Sequence, residues 1–358
     1  MRITHRPIAV AALAVAALVP AAAAQAATKT VDLGYGGAPP KGAPEAASFY
    51  DFFPRKVTIH AGDKVAYNAN GFGVVYSGPK KGMGPVAAAD PAKPVSDALD
   101  PAGTPFWFNG VAPSVNVNPE WLAPAGDGKV AKGQKATDHG VLAFGPTKPY
   151  VLSFAKPGRY KVYDALHPKV VNQVVVKPKK AKVPSAAADK LAASKQLLKL
   201  VKEAKKLASP KVPAQTIQVG NDSTHVGFYQ YFSRATVKAG QPVTITAGTN
   251  VDDVHNLAIG PVDYLKAHSG EGDLFQPAPD FSSVGLASQV IYPSQQANAV
   301  FDGSQNGGYF NSGAIDTDKA TPLPPSTTVT FSKPGTYKYI CLFHSDGEHG
   351  MEGTITVQ

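Results

Sequence analysis

Residues Tyr337–Val357 read YKYICLFHSDGEHGMEGTITV, and the rest of the chain is understood from this stretch. The runs Tyr337-Lys338-Tyr339-Ile340 and Gly353-Thr354-Ile355-Thr356-Val357 alternate as strands do, with a polar, Gly-containing segment between them. Between the two runs stands the chain's only cysteine, Cys341, with His344 three residues on and Met351 ten residues on. A thiolate, an imidazole and a thioether so close together are soft and borderline donors, a set that suits copper. Two neighbouring strands would hold the ends of the loop in place.

The same plan occurs a second time. Phe154–His167, FAKPGRYKVYDALH, matches Phe331–His344, FSKPGTYKYICLFH, at a constant offset of 177 residues. Phe154, Pro157, Gly158, Tyr160, Asp164 and His167 fall on Phe331, Pro334, Gly335, Tyr337, Cys341 and His344. Further upstream, Arg55…Ala61-Gly62 corresponds to Arg234…Ala239-Gly240 with a slip of one residue. Strand and turn signals are thus shared, whereas the donor positions differ. The expectation is an all-β chain of two tandem Greek-key β-sandwich domains. Ser77–Gly133, rich in Gly, Pro and Ala, reads as loops, with Phe106-Trp107-Phe108 packed against something apolar.

At 358 residues there is room for two ordinary domains. Arg2, His5 and Arg6 precede the apolar run Ile8–Val19, and small residues end in Ala24-Gln25-Ala26, so 1–26 is expected to be a signal peptide cleaved after Ala26. The expected location is secreted or periplasmic, with no transmembrane segment, because no other run approaches the ~20 apolar residues a span requires. Outside the cytoplasm a cysteine usually pairs, and Cys341 has no partner in the chain, which favours a metal ligand.

The net charge of +9 sits in one place: residues 177–211 hold eleven lysines against Asp189 and Glu203. The remainder is close to neutral, so the high pI is no argument for nucleic acid. Within this segment Ser185 is placed to cap a helix running to about Ala208, with Leu191, Leu197, Leu198, Val201 and Ala204 on one side. Pro210 and Pro213 end it. Solvated lysines are the plain reading of its other side; an anionic cell-envelope surface is the functional one. The domain expectation is therefore 27–178, a Lys-rich helical linker at 179–211, and 212–358.

A copper held by Cys341, His344 and Met351 still lacks a second imidazole. His255, in VDDVHNLAI (251–259), lies beside an alternating apolar run and precedes Cys341 by 86 residues. In the first repeat Gly73 precedes Asp164 by 91 and takes the corresponding place. His60, His225 and His268 read as surface residues.

His255-Asn256, Cys341-Leu342-Phe343-His344 and Gly350-Met351-Glu352-Gly353 together resemble the motif of the cupredoxins, the blue copper proteins of the plastocyanin and azurin group. The resemblance covers 212–358, motif included, and 45–178 as a fold alone. It implies His255, Cys341 and His344 as strong ligands of a type 1 copper, Met351 as a long axial one, and Asn256 as the residue that ties the two ligand segments together behind them. The seven-residue span from His344 to Met351 is longer than the family's usual spacing, which leaves His349 and Glu348 as rivals for the axial place. In the first repeat Gly73, Asp164 and Val170 stand at ligand positions and only His167 remains, so one copper per chain is expected.

The resulting expectation is a secreted carrier of single electrons between protein redox partners, without catalysis. Copper storage or delivery is the alternative; only three methionines are present. Multicopper oxidases and copper nitrite reductases also use tandem cupredoxin domains. In those families a histidine adjacent to the blue-copper cysteine leads to a further centre built from His-x-His pairs. Here Ile340 and Leu342 flank Cys341, and no His-x-His occurs.

Overall fold

A computed structural model describes residues 26–35, 40–70, 73–130, 136–140, 148–233, 236–248, 253–270, 273–279, 283–318, 321–345 and 350–358. Residues 1–25 of the expected signal peptide (1–26), Arg234, Glu348 and His349 lie outside these. Among the described residues no helix is long and apolar enough to cross a membrane.

The chain is all-β, and the sandwich plan is built twice. In the first half one sheet runs Phe52–Phe53, Thr28–Leu33, Lys64–Ala69, Tyr150–Phe154, Lys129–Val130. The facing sheet runs Thr137–Asp138, Val75–Ser77, Gly158–Asp164, Val171–Lys177, Lys56–His60. In the second half Tyr231–Ser233, Thr216–Val219, Pro242–Ala247, Ser326–Phe331 and Ala299–Phe301 form one sheet. Its partner is Phe310–Asn311, Ala258–Ile259, Gly335–Ser345, Gly350–Val357 and Thr236–Val237. Every pairing keeps its sense between the halves, down to the parallel partnership of Thr28–Leu33 with Lys64–Ala69 and of Thr216–Val219 with Pro242–Ala247. The chain changes sheets at most connections, as Greek-key sandwiches do.

Alternation explains the cores. Val31, Leu33, Val57, Ile59, Val65, Tyr67, Leu152, Phe154, Val162, Val174 and Val176 point inward in the first sandwich. Ile217, Val219, Val243, Ile245, Val329, Phe331, Tyr339, Ile355 and Val357 do so in the second. Successive strand residues face opposite sides, so each inward set is spaced by two.

The segment read as loops is more ordered than its composition suggests. Ala87–Pro94 and Pro113–Val117 pair with each other and then, through Val284–Leu286, with Phe275–Pro277 of the second half in a four-stranded sheet. Phe106 and Phe108 are buried with Tyr309, Leu265 and Leu342. This excursion from the first half therefore covers one flank of the second.

Ala186–Leu207 is helical, and the Ser185 hydroxyl accepts from the Ala188 N–H at 3.2 Å, as the sequence anticipates. The buried face agrees with the expected one at Leu197, Val201 and Ala204 and departs from it elsewhere. Leu191 and Leu198 are 57% and 60% exposed, whereas Leu200, Val201 and Ala204 pack on Phe49, Phe53 and Val226. Leu200 was not expected inside; the neighbouring surfaces, which the helix's own periodicity cannot report, select the face. Gln196 fixes the helix in register. Its carbonyl accepts from the Arg55 N–H at 3.0 Å, and its amide donates to Asp51 at 2.7 Å and to the Phe52 carbonyl at 2.9 Å.

Candidate metal centre

Cys341 lies in the long strand Gly335–Ser345, whose regular pairing with Gly350–Val357 breaks after Ile340. Ala258 pairs with Ile340, so the chain entering Ala258–Ile259 passes beside Cys341, and His255 stands at that entrance. A two-bond bridge to Ile315, at 3.2 and 2.8 Å, holds the His255 backbone. His344 follows on the same strand. Beyond it Gly350 adopts φ of 105°, where a Cβ would come within 2.6 Å of the His344 carbonyl, so the chain can turn there only as glycine.

The fold brings three of the expected donors together. The donor atoms of His255, Cys341 and His344 lie within 4.8 Å of one another, the single such group among the described residues. Cys341 Sγ is 3.9 Å from His255 Nδ1 and 3.5 Å from His344 Nδ1. Met351 is buried in the same apolar cluster as Cys341, and both residues adjoin the Ile340–Glu352 pair at which the regular ladder ends. Asn256 lies behind the trio: its side-chain oxygen accepts from the Leu342 N–H at 2.8 Å and its amide donates to the Val290 carbonyl at 3.1 Å. It ties the His255 segment to the Cys341 strand.

Other residues of the site could not be read from the sequence. The Asp222 carboxylate sits 3.4 Å from His255 Nε2, the nitrogen facing away from Cys341. A carboxylate on the outer nitrogen of an imidazole fixes its orientation and raises its basicity, an arrangement common at histidines that bind metals. Asp222 is itself held by the Phe228 N–H at 2.5 Å. Gly220, at φ of 64°, leaves room for the ring; a Cβ there would fall 2.4 Å from Nε2. Tyr229 stacks on His344 with ring centroids 4.2 Å apart and planes 14° from parallel. A distance of 33 residues separates Asp222 from His255, with no periodicity to connect them.

Electrostatics follow from these contacts. Burial alone would raise the Cys341 thiol, but the charge of His344 and hydrogen bonds from His255 and His344 outweigh it and bring it down to about 5. Burial disfavours protonated His255, yet Asp222 and Cys341 push it up to about 10. At neutral pH the metal-free trio therefore holds a thiolate, the protonation state a metal ligand requires, beside a protonated His255.

The other histidines lie elsewhere. His60 Nε2 is 2.8 Å from the Ala181 carbonyl, and His268 Nδ1 is 2.8 Å from the Tyr264 carbonyl. His225 is half-buried, 3.7 Å from the buried Asp51.

Sheet register gives the first repeat's equivalents. Val75 pairs with Asp164, as Leu257 would with Cys341, so Gly73 takes the place of His255. Asp164 donates its N–H to the Val170 carbonyl at 3.1 Å, which sets Val170 where Met351 stands. A Cβ on Gly73 would lie 2.9 Å from Leu33 Cδ2 and 3.0 Å from Asp164 Oδ2, leaving no space for a ring. The Asp164 carboxylate is engaged by the N–H groups of Val74 (2.8 Å) and Leu166 (3.1 Å) and by His167 Nδ1 (2.5 Å).

No family model and no curated protein matches the chain. Among solved structures it is similar to a dithionite-reduced auracyanin from Roseiflexus castenholzii, at 20% identity, covering 40% of this chain and 94% of that one, with a TM-score of 0.22. Pseudoazurin from Methylobacterium extorquens matches at 14% identity over 49% of this chain and 98% of that one, TM-score 0.20. A copper nitrite reductase from Nitrosomonas europaea matches at 11% over 93% and 94%, TM-score 0.18. Likenesses this distant carry no chemistry to this chain.

Proposed function

We propose that the protein is an extracytoplasmic copper protein that passes single electrons between partner proteins. The observation that carries this is the grouping of two imidazole Nδ1 atoms and a buried thiolate within 4.8 Å, with Asp222 on the outer nitrogen of His255. Two histidines and a cysteine with a weak axial methionine are the donors of electron-transfer copper sites. His255, Cys341 and His344 would hold the ion, with Met351 as a further, weaker donor. Bound copper supplies a centre that cycles between two oxidation states one electron apart. Asn256 and Asp222 keep the donors in place, and the apolar cluster around Cys341 and Met351 excludes water. The basic segment preceding the second half is a surface for anionic envelope components, and the leader-like N-terminus directs export.

Copper titration of the full chain tests this reading. One equivalent should bind and produce an intense visible thiolate-to-copper band, and Cys341→Ser should abolish it. A colourless complex would favour storage or delivery. An intense visible band retained by Cys341→Ser would assign the copper to a site outside His255, Cys341 and His344.

A further inference from the structure

The first repeat has lost the donors at three of four positions, yet it reaches the metal centre. The strand pair Ala47–Ser48 with Gly227–Phe228 joins the halves, and the Tyr229 N–H donates to the Ala46 carbonyl at 2.9 Å. Tyr50 follows directly. Its ring stacks on His167 with centroids 4.3 Å apart and planes 8° from parallel. Its hydroxyl donates to Asp253 Oδ2 at 2.5 Å, two residues from His255. The same strand pair brings Tyr50 against Gly227, two residues from Tyr229, the ring that covers His344.

We infer that Tyr50 is a positioning residue of the metal centre, and that the former ligand position of the first repeat is now the platform that holds it. The chain of contacts is continuous. Asp164, where the second repeat has Cys341, grips His167 Nδ1 and fixes the plane of that imidazole. The fixed plane seats Tyr50; Tyr50 and the Ala46–Ser48 strand hold the Gly227–Tyr229 segment; Tyr229 sets the plane of His344. Space is reserved for this: a Cβ on Gly227 would lie 1.8 Å from the Tyr50 hydroxyl oxygen, so the phenol crosses a strand only glycine leaves open. The first half thereby completes the surroundings of a ligand supplied by the second. A ring held flat on His344 restricts its rotation whether or not metal is bound, and rigid surroundings keep ligand geometry constant.

This rests on the copper reading for its redox consequences only; the positioning itself is testable without metal. The full-length protein is compared with Tyr50→Phe, Tyr50→Leu, Gly227→Ala and His167→Ala. In the metal-free protein the ring-proton NMR shifts of His344 should move toward unstacked values in Tyr50→Leu, Gly227→Ala and His167→Ala, and less in Tyr50→Phe, which keeps its stack on His167. In the copper-loaded protein the same three variants should change the copper hyperfine splitting in electron paramagnetic resonance and weaken copper affinity by on the order of tenfold. Unchanged His344 shifts in all four would overturn the inference, as would a fall in thermal stability with splitting and affinity unaltered. Failure of the wild type to bind copper would sink the proposed function, while the NMR comparison would still decide the positioning role.

Discussion

Replacing Asn256 by alanine tests the link between fold and site most directly. Asn256 is fully buried, and its carbonyl oxygen is the partner of the Leu342 N–H, the residue next to Cys341. Its amide donates to the Val290 carbonyl, but that carbonyl also accepts from the Asn311 amide at 3.1 Å and would stay satisfied. The cost therefore falls on one orphaned N–H, about 1–3 kcal/mol, with about another 0.5–1 kcal/mol for the side-chain volume removed. A loss of about 1.5–4 kcal/mol corresponds to roughly 3–16 °C in the melting temperature of a domain of about 150 residues. Differential scanning calorimetry on the metal-free protein measures it. Copper affinity should fall about 10–100-fold as well, because the His255 segment and the Cys341 strand lose their tie. A melting shift below about 2 °C together with unchanged copper affinity would refute the claim that Asn256 joins the two ligand segments.

Other outcomes follow from single contacts. Gly220→Ala should displace His255 and lower copper affinity at least tenfold, since its Cβ meets Nε2 at 2.4 Å; competition against a chromophoric chelator reads it. Copper uptake at pH 7 should release about one proton, taken from His255 held at about 10, because the thiol at about 5 has already ionised. Calorimetric titrations in buffers of different ionisation enthalpy count the protons, and a release near zero would contradict a protonated His255 beside a thiolate. Asp51 and His225 should oppose each other in the pH dependence of stability. Burial, outweighing Arg55, raises Asp51 to about 6, so its contribution to stability is lost as pH rises from about 4 to 6. Burial, aided by Arg55, lowers His225 to about 4, so its contribution is lost as pH falls from about 6.5 to 4. Relative to wild type, Asp51→Asn should melt with a more positive slope against pH in this window and His225→Gln with a more negative one. Parallel melting curves for wild type and both variants would contradict these shifts.

Much of this was legible in the chain. Period-two alternation needs only neighbouring residues, so strands such as Val171–Lys177 and Gly335–Ser345 show in the sequence. The repeat at a fixed offset doubles that signal, and the fold is indeed a sandwich built twice. Comparing the copies also isolates the positions where chemistry differs. Cys341, His344 and Met351 are close in sequence, and the repeat adds His255; the structure brings the two histidines and the cysteine to one point. Less was legible where contacts join distant segments. The helix shows its cap and length, but the neighbours choose its buried face, and they take Leu200 rather than Leu191 and Leu198. The Gly/Pro/Ala-rich stretch reads as loops because its hairpin is completed by strands near residue 280.

By itself the sequence determined the all-β class and the duplicated plan, and it named the candidate donors, because each depends on local alternation or on residue type at fixed spacing. Tertiary structure alone decided what surrounds those donors. Asp222 reaches His255, Tyr229 covers His344, and Tyr50 comes from the other half to bond Asp253, two residues from His255. These contacts have no period and no shared segment. They exist because the two sandwiches pack with the Asp164–His167 pair of one facing the ligand end of the other, a relation set by the packed surfaces as a whole.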